Sequence, residues 1–298
     1  LLAIRSKRPR PLLDDKILTD WNGLMIAALA RGARVTGNTG YSDAAAKAAR
    51  FILGGMRTTE GRLLHRYRDG ESAIPGFLDD YAFLTWGLIE LYEATFDARW
   101  LSDALELTGG MLGLFGDSVE GRGGLFFSGR DAEKLIVRTK EIYDGAVPSG
   151  NSVAALCLLR LGRMTGRADL ESSADALMEE FSGQLAGSPT AYTQMIIALD
   201  FALGPGREYV IAGERGDGET ESMIRLLAGD FMPRSVTLFR PAGDSAGDIV
   251  NIVPLLAGMT AVDGMPTAYI CEDFKCSAPA VGEKELRKRL SKMERTDD

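Results

Sequence analysis

The segment Tyr81-Ala-Phe-Leu-Thr-Trp-Gly-Leu-Ile-Glu-Leu-Tyr92 would carry apolar side chains on nearly every side of an α-helix. A helix of that kind is buried on both flanks, which predicts an inner helix packed between neighbours. Three other segments have the same character, residues 21–30, 152–161 and 192–199. The first two-thirds of the chain is therefore organised around buried helices.

Amphipathic segments with a polar flank alternate strictly with these buried ones, at residues 42–53, 98–114 and 168–185. Short glycine-bearing turns, such as residues 37–40, join each inner segment to the next outer one. This alternation predicts repeated antiparallel helical hairpins. We assign residues 1–204 to a segment of an α/α toroid, a ring of inner helices surrounded by outer ones, with four inner and three outer helices.

The connections that return from an outer helix to the next inner helix are longer than these turns. They contain extended, β-like pieces at residues 62–68, 123–128 and 134–140. Long connections on one rim of a regular scaffold are where functional sites are usually found. We therefore look for a site at the ends of the inner helices that these connections reach.

The pattern changes after residue 204. Strand-like runs at residues 207–213, 235–239 and 267–271 flank a helical segment at residues 220–228, and a charged helix is predicted over residues 283–294. Strand, helix and strand in that order predict a small parallel sheet. We assign residues 205–298 to a small α/β subdomain.

Composition excludes several classes of function. The chain has 298 residues with a formal net charge of −8, which disfavours nucleic acid and anionic membranes as partners. No apolar run approaches the roughly 20 residues that cross a bilayer, and we expect no signal peptide, because the first residues lack a hydrophobic core followed by a small-residue cleavage site. Three cysteines do not make a disulfide framework, so we expect a cytoplasmic protein. Because the chain begins with Leu1 rather than Met, we interpret it as part of a longer protein.

Acidic residues gather where the inner helices begin, in residues 13–23, 76–81 and 140–152. In a ring of hairpins these segments fall on one face. Two opposed carboxylates are what cleavage of a glycosidic bond requires, one as proton donor and one as base or nucleophile. We take Asp80, Asp144 and Glu141 as candidate catalytic residues.

The same segments supply candidate residues for binding a sugar. Aromatic rings suit the apolar face of a sugar, amides and carboxylates suit its hydroxyl groups, and cations would hold an acidic sugar. The candidates are Trp21, Asn22, Asp79, Tyr81, Arg138, Lys140 and Asn151. The alternative interpretation is structural, because acidic residues at helix starts cap free N–H groups and favour the positive end of the helix dipole.

Four ordered motifs resemble one protein family. They are Asp14-Asp-Lys-Ile-Leu-Thr-Asp-Trp-Asn-Gly23, Phe77-Leu-Asp-Asp-Tyr-Ala82, Asp144-Gly-Ala-Val-Pro-Ser-Gly-Asn-Ser152 and Cys271-Glu-Asp-Phe-Lys-Cys-Ser-Ala-Pro279. Together they resemble the thioredoxin-domain-containing, spermatogenesis-associated family, over essentially the whole chain. In that family a thioredoxin-like domain precedes an (α/α)6 toroid similar to six-hairpin glycosidases and N-acylglucosamine 2-epimerases.

The resemblance implies a mainly α protein: a partial (α/α)6 toroid of helical hairpins with a small C-terminal α/β subdomain. It also implies that the thioredoxin-like domain and the first hairpins belong to the same parent chain. Two functions follow as hypotheses. One is a toroid that binds or processes carbohydrate, hydrolase-like if catalytic. The other is a non-catalytic scaffold for the thioredoxin-like domain in redox or protein-quality work.

His65 is the one histidine of the chain, and we interpret it as a structural or surface residue. A single histidine disfavours the histidine-based proton transfer of toroid epimerases, and it also disfavours zinc. We therefore expect no cofactor and no metal. We interpret Cys271 and Cys276 as two thiols near the end of a strand, with a reversible disulfide as the alternative.

Overall fold

A computed structural model describes residues 1–117, 123–133, 136–273 and 275–293, with every side chain among them except that of Asp244. The helices are α1 (Leu2–Arg5), α2 (Thr19–Thr36), α3 (Thr39–Gly55), α4 (Leu78–Thr95), α5 (Ala98–Phe115), α6 (Gly150–Thr165), α7 (Ala168–Glu180), α8 (Ser182–Gly187), α9 (Thr193–Leu203), α10 (Gly218–Gly229), α11 (Gly247–Ile252) and α12 (Gly282–Met293). The strands are β1 (Ile17–Leu18), β2 (Leu64–Arg68), β3 (Glu71–Pro75), β4 (Arg207–Gly213), β5 (Ser235–Pro241), β6 (Thr267–Glu272), β7 (Lys275–Cys276) and β8 (Ala280–Val281).

The helices pack as a row of hairpins. The inner helices α2, α4, α6 and α9 contact one another in that order, and α3, α5 and α7 each pack against the inner helix that precedes them. This confirms the predicted mainly α architecture, a partial toroid of helical hairpins followed by a small α/β part. The division of the chain into two parts at residue 204 stays a prediction.

Burial follows position in the row. The middle inner helices α4 and α6 are buried along almost their whole length. The inner helices at the two ends expose apolar side chains, Trp21 and Met25 on α2, and Ile197 and Leu203 on α9. An inner helix is thus covered on both flanks only where it has two inner neighbours.

Tight turns reverse the chain within each hairpin. The C-caps of α2 and α6 are Gly37 and Gly166, which both have a φ of 70°. That left-handed conformation costs glycine little, because glycine has no Cβ. The N-caps of α3 and α5 are Asn38 and Asp97, whose side chains accept backbone N–H bonds in the first turn of their helix.

Two sheets complete the fold. Strands β1, β2 and β3 form an antiparallel sheet whose β2–β3 turn contains Asp69 and Gly70 at positive φ, the turn that matches strand twist in a short hairpin. The second sheet has the order β5-β4-β6-β7, with β8 also paired to β6. Strands β4 and β5 are parallel, whereas β6 runs antiparallel to β4. The prediction of a parallel sheet was therefore wrong for β6.

The two faces of the second sheet lie in different apolar clusters. Val210, Val236 and Leu238 face the helices and share their core. On the opposite face, Tyr209 and Phe239 pack with side chains of α10 and α12. The sheet is therefore sandwiched between the row of hairpins and its own two helices.

Other differences from the predicted elements are local. The outer segment at residues 168–185 breaks at Phe181 into α7 and α8. Over residues 123–133 and 136–140 the chain forms no strand beyond one bridge between Leu125 and Gly116, and residues 134 and 135 lie outside the described part. Among the described residues, no helix combines the length and apolar character needed to cross a membrane.

Candidate functional site

The Asp80 carboxylate joins the starts of two inner helices. Asp80 lies in the first turn of α4 and is completely buried. Its Oδ2 accepts the backbone N–H of Phe77 at 2.7 Å, and its Oδ1 accepts the backbone N–H of Asp20 at 3.0 Å. The carboxylate therefore caps α4 and fixes the first turn of α2 against it.

His65 on β2 is the third partner of this carboxylate. Its Nδ1 lies 3.0 Å from both carboxylate oxygens of Asp80. The hydrogen bond to Asp80 raises the pKa of His65, against the opposing effect of burial. The histidine side chain remains 23% exposed while Asp80 is fully enclosed. His65 therefore lies between the buried acid and solvent, and its interpretation as a structural or surface residue stays a prediction.

Asp79 lies beside Asp80 and points towards the start of α6. It accepts the backbone N–H of Gly150, and a Cβ atom on Gly150 would lie only 2.4 Å from its Oδ1. Burial, together with the negative charges of Asp20 and Asp80, raises the pKa of Asp79 to about 7. Asp79 is therefore a carboxyl group that holds its proton close to neutral pH.

Asp20 completes what we call the Asp–His cluster: Asp20, His65, Asp79 and Asp80. Burial and the charge of Asp80 raise the pKa of Asp20 as well. Neighbouring carboxylates repel one another when all are ionised. A proton therefore stays on the carboxyl group whose ionisation is made least favourable by burial and by neighbouring negative charge. The cluster thus brings together an imidazole and several carboxyl groups, one of which, Asp79, holds its proton close to neutral pH.

The raised pKa of Asp79 gives stability a definite dependence on pH. The folded state holds this proton up to pH about 7, whereas in the unfolded chain the pKa of Asp79 has the ordinary aspartate value of 3.8. Stability therefore falls as pH rises between these values, because the folded state binds more protons there. We expect Asp79→Asn to lose this slope, so that its melting temperature relative to the unmodified protein rises from pH 5 to pH 8.

Asp97→Asn is the control for this titration. Hydrogen bonds from Arg99 lower the pKa of Asp97, so both folded and unfolded states are ionised there above pH 5. Asparagine keeps the oxygen that caps α5 but loses the charge that pairs with Arg99, so the substitution is expected to shift the melting temperature equally at pH 5 and pH 8. Parallel pH curves for Asp79→Asn and the unmodified protein would contradict a raised pKa at Asp79.

Asp144 lies in the loop before α6, and its carboxylate reaches the start of a different helix, α9. Its carboxylate accepts the backbone N–H groups of Ser149 at 2.8 Å, Gln194 at 2.8 Å and Met195 at 3.3 Å. These bonds cap α9 and hold the segment before α6. Glu141 is exposed, and its charge contributes to raising the pKa of Asp79. Of the three candidate catalytic residues, Asp80 is part of the Asp–His cluster and Glu141 acts on it.

The uncharged binding candidates divide into bonded and exposed groups. Asn151 is buried and bonds both the N–H and the C=O of Leu125. The buried Tyr81 hydroxyl accepts the Leu63 N–H, and Asn22 donates to the Leu18 carbonyl. Trp21, directly after Asp20, is 62% exposed. Among these residues, Trp21 is the one with a large surface available to a ligand.

The two cations expected to anchor an acidic sugar are engaged elsewhere. Arg138 donates to the Ser128 carbonyl and stacks over the ring of Phe126, 4.2 Å from its centroid. The Lys140 ammonium group contacts the Gly123 carbonyl at 2.6 Å, Asp117 at 3.0 Å and Glu180 at 3.2 Å. Both side chains thus fasten the loop before α6, and neither belongs to the Asp–His cluster.

Asp20, His65 and Asp80 also form the one group of described residues that could together ligate a metal ion, with ligand atoms within 4.8 Å of one another. In this structure the Asp80 oxygens instead accept backbone N–H groups and face His65 Nδ1. A metal ion would have to replace the imidazole hydrogen bond. In the present arrangement, both oxygens of Asp80 already have hydrogen-bond partners.

Sequence reasoning missed the pairing of His65 with Asp80. The two residues are 15 positions apart and lie on a strand and a helix, so no local spacing signals their contact. Asp20 was visible in the same acidic segment as Trp21, but its position in the first turn of a helix made it look like an ordinary cap. Its burial against a second carboxylate depends on how α2 crosses α4.

No protein-family profile matches the chain. At the level of fold, it is similar to an α-mannanase of Bacteroides thetaiotaomicron, with 19% identity and a TM-score of 0.47 over 58% of this chain and 47% of that one. It is also similar to cellobiose 2-epimerase from Bacillus thermoamylovorans, with 16% identity and a TM-score of 0.45 over 56% of this chain and 44% of that one.

Sequence comparison finds closer relatives. Human spermatogenesis-associated protein 20 is 35% identical over 97% of this chain and 38% of its own length. The Rattus norvegicus protein of the same name is 34% identical over the same shares of the two chains. The chain thus spans less than half the length of these relatives, and it is similar to spermatogenesis-associated protein 20 along nearly all of its own length.

Proposed function

We propose that the Asp–His cluster is a carbohydrate site and that the chain belongs to the thioredoxin-domain-containing, spermatogenesis-associated family. The observation that carries the first proposal is Asp79, a carboxyl group with a pKa of about 7 beside a second partly buried carboxyl group, Asp20. Hydrolysis of a glycosidic bond needs a proton donor and a second carboxylate. The sequence similarity and the four motifs support the second proposal.

The residues take distinct roles in this proposal. Asp79 donates the proton, and Asp20 or the exposed Glu141 acts as the second carboxylate. Asp80 holds Asp20 and His65 in position through its hydrogen bonds and does not itself meet the ligand, because it is fully buried. The exposed ring of Trp21 offers a surface on which a sugar can stack.

The charge of the cluster favours neutral or amino sugars. Asp20, Asp79 and Asp80 outnumber the single imidazole, and Arg138 and Lys140 are bonded to other groups. An acidic sugar would add a further negative charge beside Asp20 and Asp79, whose pKa values are already raised. We therefore place uronic acids last among the candidates.

A thermal-shift screen of the protein with neutral, amino and acidic sugars tests the proposal. A ligand at a hundredfold excess over its dissociation constant stabilises the native state by about 2.7 kcal/mol, which raises the melting temperature measurably. We expect a neutral or amino sugar to give this shift and Asp79→Asn to abolish it. Asp103→Asn is the matched control, because Asp103 is a half-buried carboxyl group with a raised pKa on the outer helix α5.

The outcomes separate the alternatives. A shift retained by Asp103→Asn and lost in Asp79→Asn supports the site. A shift retained in both variants would mean that the sugar binds elsewhere on the protein. No shift with any sugar favours a scaffold for a thioredoxin-like domain of the parent protein. The bonds that commit Asp80 and Asp144 to helix caps are the observation that supports this second function.

We also propose a cytoplasmic setting with no nucleic-acid partner. The net charge of −8 supports the second statement, since nucleic-acid binding requires basic surface. The family resemblance implies one partner, a thioredoxin-like domain of the same parent chain.

A further inference from the structure

The only two cysteines of the sheet face each other across one hairpin. Strands β6 and β7 pair antiparallel with Cys271 opposite Cys276 and Glu272 opposite Lys275. The Cα atoms of the two cysteines are 3.8 Å apart, and their sulfur atoms form a disulfide. The sequence interpretation as two free thiols was therefore wrong for this structure. Directly opposed residues on paired strands keep their side chains adjacent whether or not these are bonded.

The hairpin is anchored independently of the disulfide. The backbone N–H of Asp273 donates to the Gly206 carbonyl at 3.1 Å, and the N–H of Ser277 donates to the Ile270 carbonyl at 3.0 Å. Glu272 forms an ion pair with Arg207 at 3.2 Å. These bonds bracket the two cysteines on both strands, so cleavage of the disulfide leaves the thiols facing each other.

The disulfide also contributes little to holding the fold together. It bridges residues only 5 positions apart, and closing so short a loop removes little entropy from the unfolded chain. A disulfide that serves mainly as a staple gains most from a long loop. The short span together with the independent anchoring indicates a bond that can open and close in the folded protein.

The two cysteine residues differ in exposure. The Cys271 residue is 3% exposed, whereas Cys276 lies on the exposed β7 strand at the end of the sheet order. Thiol–disulfide exchange requires the incoming thiolate to reach one sulfur atom along the S–S axis. Cys276 is the more exposed of the two residues, and we therefore take it as the one that an incoming thiolate approaches.

We propose that Cys271 and Cys276 form a reversible dithiol–disulfide couple that exchanges with a dithiol partner through Cys276. A thiolate of the partner attacks Cys276 Sγ, forms a mixed disulfide there and releases Cys271 as a thiolate. The second thiolate of the partner then attacks the partner sulfur that is bonded to Cys276. This attack closes a disulfide within the partner and releases Cys276 as a thiolate. Two electrons pass from the partner to the hairpin, the partner becomes a disulfide, and both cysteines take up protons.

Alkylation and intact mass of the full chain test the couple, with dithiothreitol as the probe dithiol. Because Cys157 is free and buried, the denatured oxidised protein is expected to add one alkyl group, and the reduced protein three. We expect native dithiothreitol to convert one adduct to three and a dithiol–disulfide buffer to set the ratio reversibly. We also expect the melting temperature to fall by no more than about 5 °C on reduction.

Three results would overturn the proposal. One is a single adduct that persists after native reduction, which would mark an inaccessible disulfide. Another is three adducts that oxidation cannot reverse. The third is a larger fall in melting temperature, which would mark a structural staple. None of these outcomes bears on the carbohydrate site, because they concern residues outside the Asp–His cluster.

Single-cysteine variants test the route. In Cys271→Ser the exposed Cys276 is expected to form a mixed disulfide with oxidised glutathione, and in Cys276→Ser the buried Cys271 is expected to react at least about tenfold more slowly. Each variant retains the buried Cys157 as an internal control. Equal rates in the two variants, or faster reaction of Cys271, would contradict attack at Cys276.

Discussion

Replacement of Arg160 by methionine is expected to lower the free energy of unfolding by about 3–5 kcal/mol, the cost of leaving buried charges without their partner. Arg160 lies on α6 and is buried; its Nη1 donates to Glu90 Oε1 at 2.6 Å and its Nη2 donates to Glu93 Oε2 at 3.0 Å. Both glutamates are on α4 and are also buried. Methionine keeps most of the apolar length of the side chain, so the loss reports the charge.

The remaining groups of this network do not replace the lost guanidinium. Arg34 of α2 contacts both glutamates, and Glu93 also accepts the backbone N–H of Thr237 on β5 at 3.1 Å. Burial would raise the pKa of Glu90, but the charges of Arg160 and Arg34 outweigh it and lower that pKa. With Arg160 removed, the two buried carboxylates would be left with Arg34 and with the largely exposed Arg31, whose Nη1 lies 3.9 Å from Glu90 Oε1.

Urea unfolding of Arg160→Met beside Arg99→Met measures this effect. Arg99 forms an ion pair with Asp97 at the surface, with 76% of the arginine side chain exposed, so its loss is expected to cost less than about 1 kcal/mol. Equal stability of the two variants would show that the buried network does not stabilise the junction between the inner helices and the second sheet.

Gly23→Ala is expected to lower stability by about 3 kcal/mol or more, because the added methyl group meets backbone and not a movable side chain. A Cβ atom at Gly23 would lie 2.5 Å from the carbonyl carbon of Phe83 and 2.6 Å from the Leu84 nitrogen. On the facing helix, a Cβ at Gly87 would lie 2.8 Å from the Gly23 oxygen. The two glycines therefore let α2 and α4 cross in backbone contact.

Gly109→Ala is the control for this substitution. Gly109 also lies within a helix, α5, but nothing lies within 4 Å of an added Cβ. Alanine is the better helix former by about 1 kcal/mol, so this variant is expected to be slightly more stable than the unmodified protein. Thermal unfolding of both variants separates the effect of the helix crossing from that of helix propensity. Similar melting temperatures would contradict the close crossing.

The crossing also positions the Asp–His cluster. Gly23 lies one turn after Asp20, whose backbone N–H donates to Asp80 at the start of the facing helix. A wider separation of α2 and α4 would lengthen or break that bond. We therefore expect any Gly23 variant that still folds to lose the raised pKa of Asp20, because both burial and the charge of Asp80 would act on it less.

The helical hairpins could be predicted because the burial of a helix requires a recognisable pattern of apolar residues in its sequence. The segment from Tyr81 to Tyr92 has to be apolar on all sides, since α4 is enclosed by α2, α5 and α6. The direction of β6 could not be predicted, because a buried strand is equally apolar whether it runs parallel or antiparallel to its neighbour. The break at Phe181 was also invisible, because α7 and α8 have compatible patterns on either side of it.

The sequence indicated which segments to compare but not the role of each residue. The structure brings the three acidic helix starts together through Asp20, Asp79 and Gly150, and their function as a site stays a prediction. Which acids are bonded and which are available depends on contacts between distant segments. Glu90 and Arg160 illustrate the same limit, because they pair across 70 positions of the chain with no local signal.

The pKa of Asp79, followed by NMR of its carboxyl carbon in the full chain, is the most direct test of the proposed proton donor. The Asp79→Asn variant assigns the signal. We expect a midpoint of about 7, set by burial and by the charges of Asp20 and Asp80. A midpoint close to 3.8, the ordinary value for an aspartic acid, would mean that Asp79 is ionised at neutral pH and cannot donate the proton.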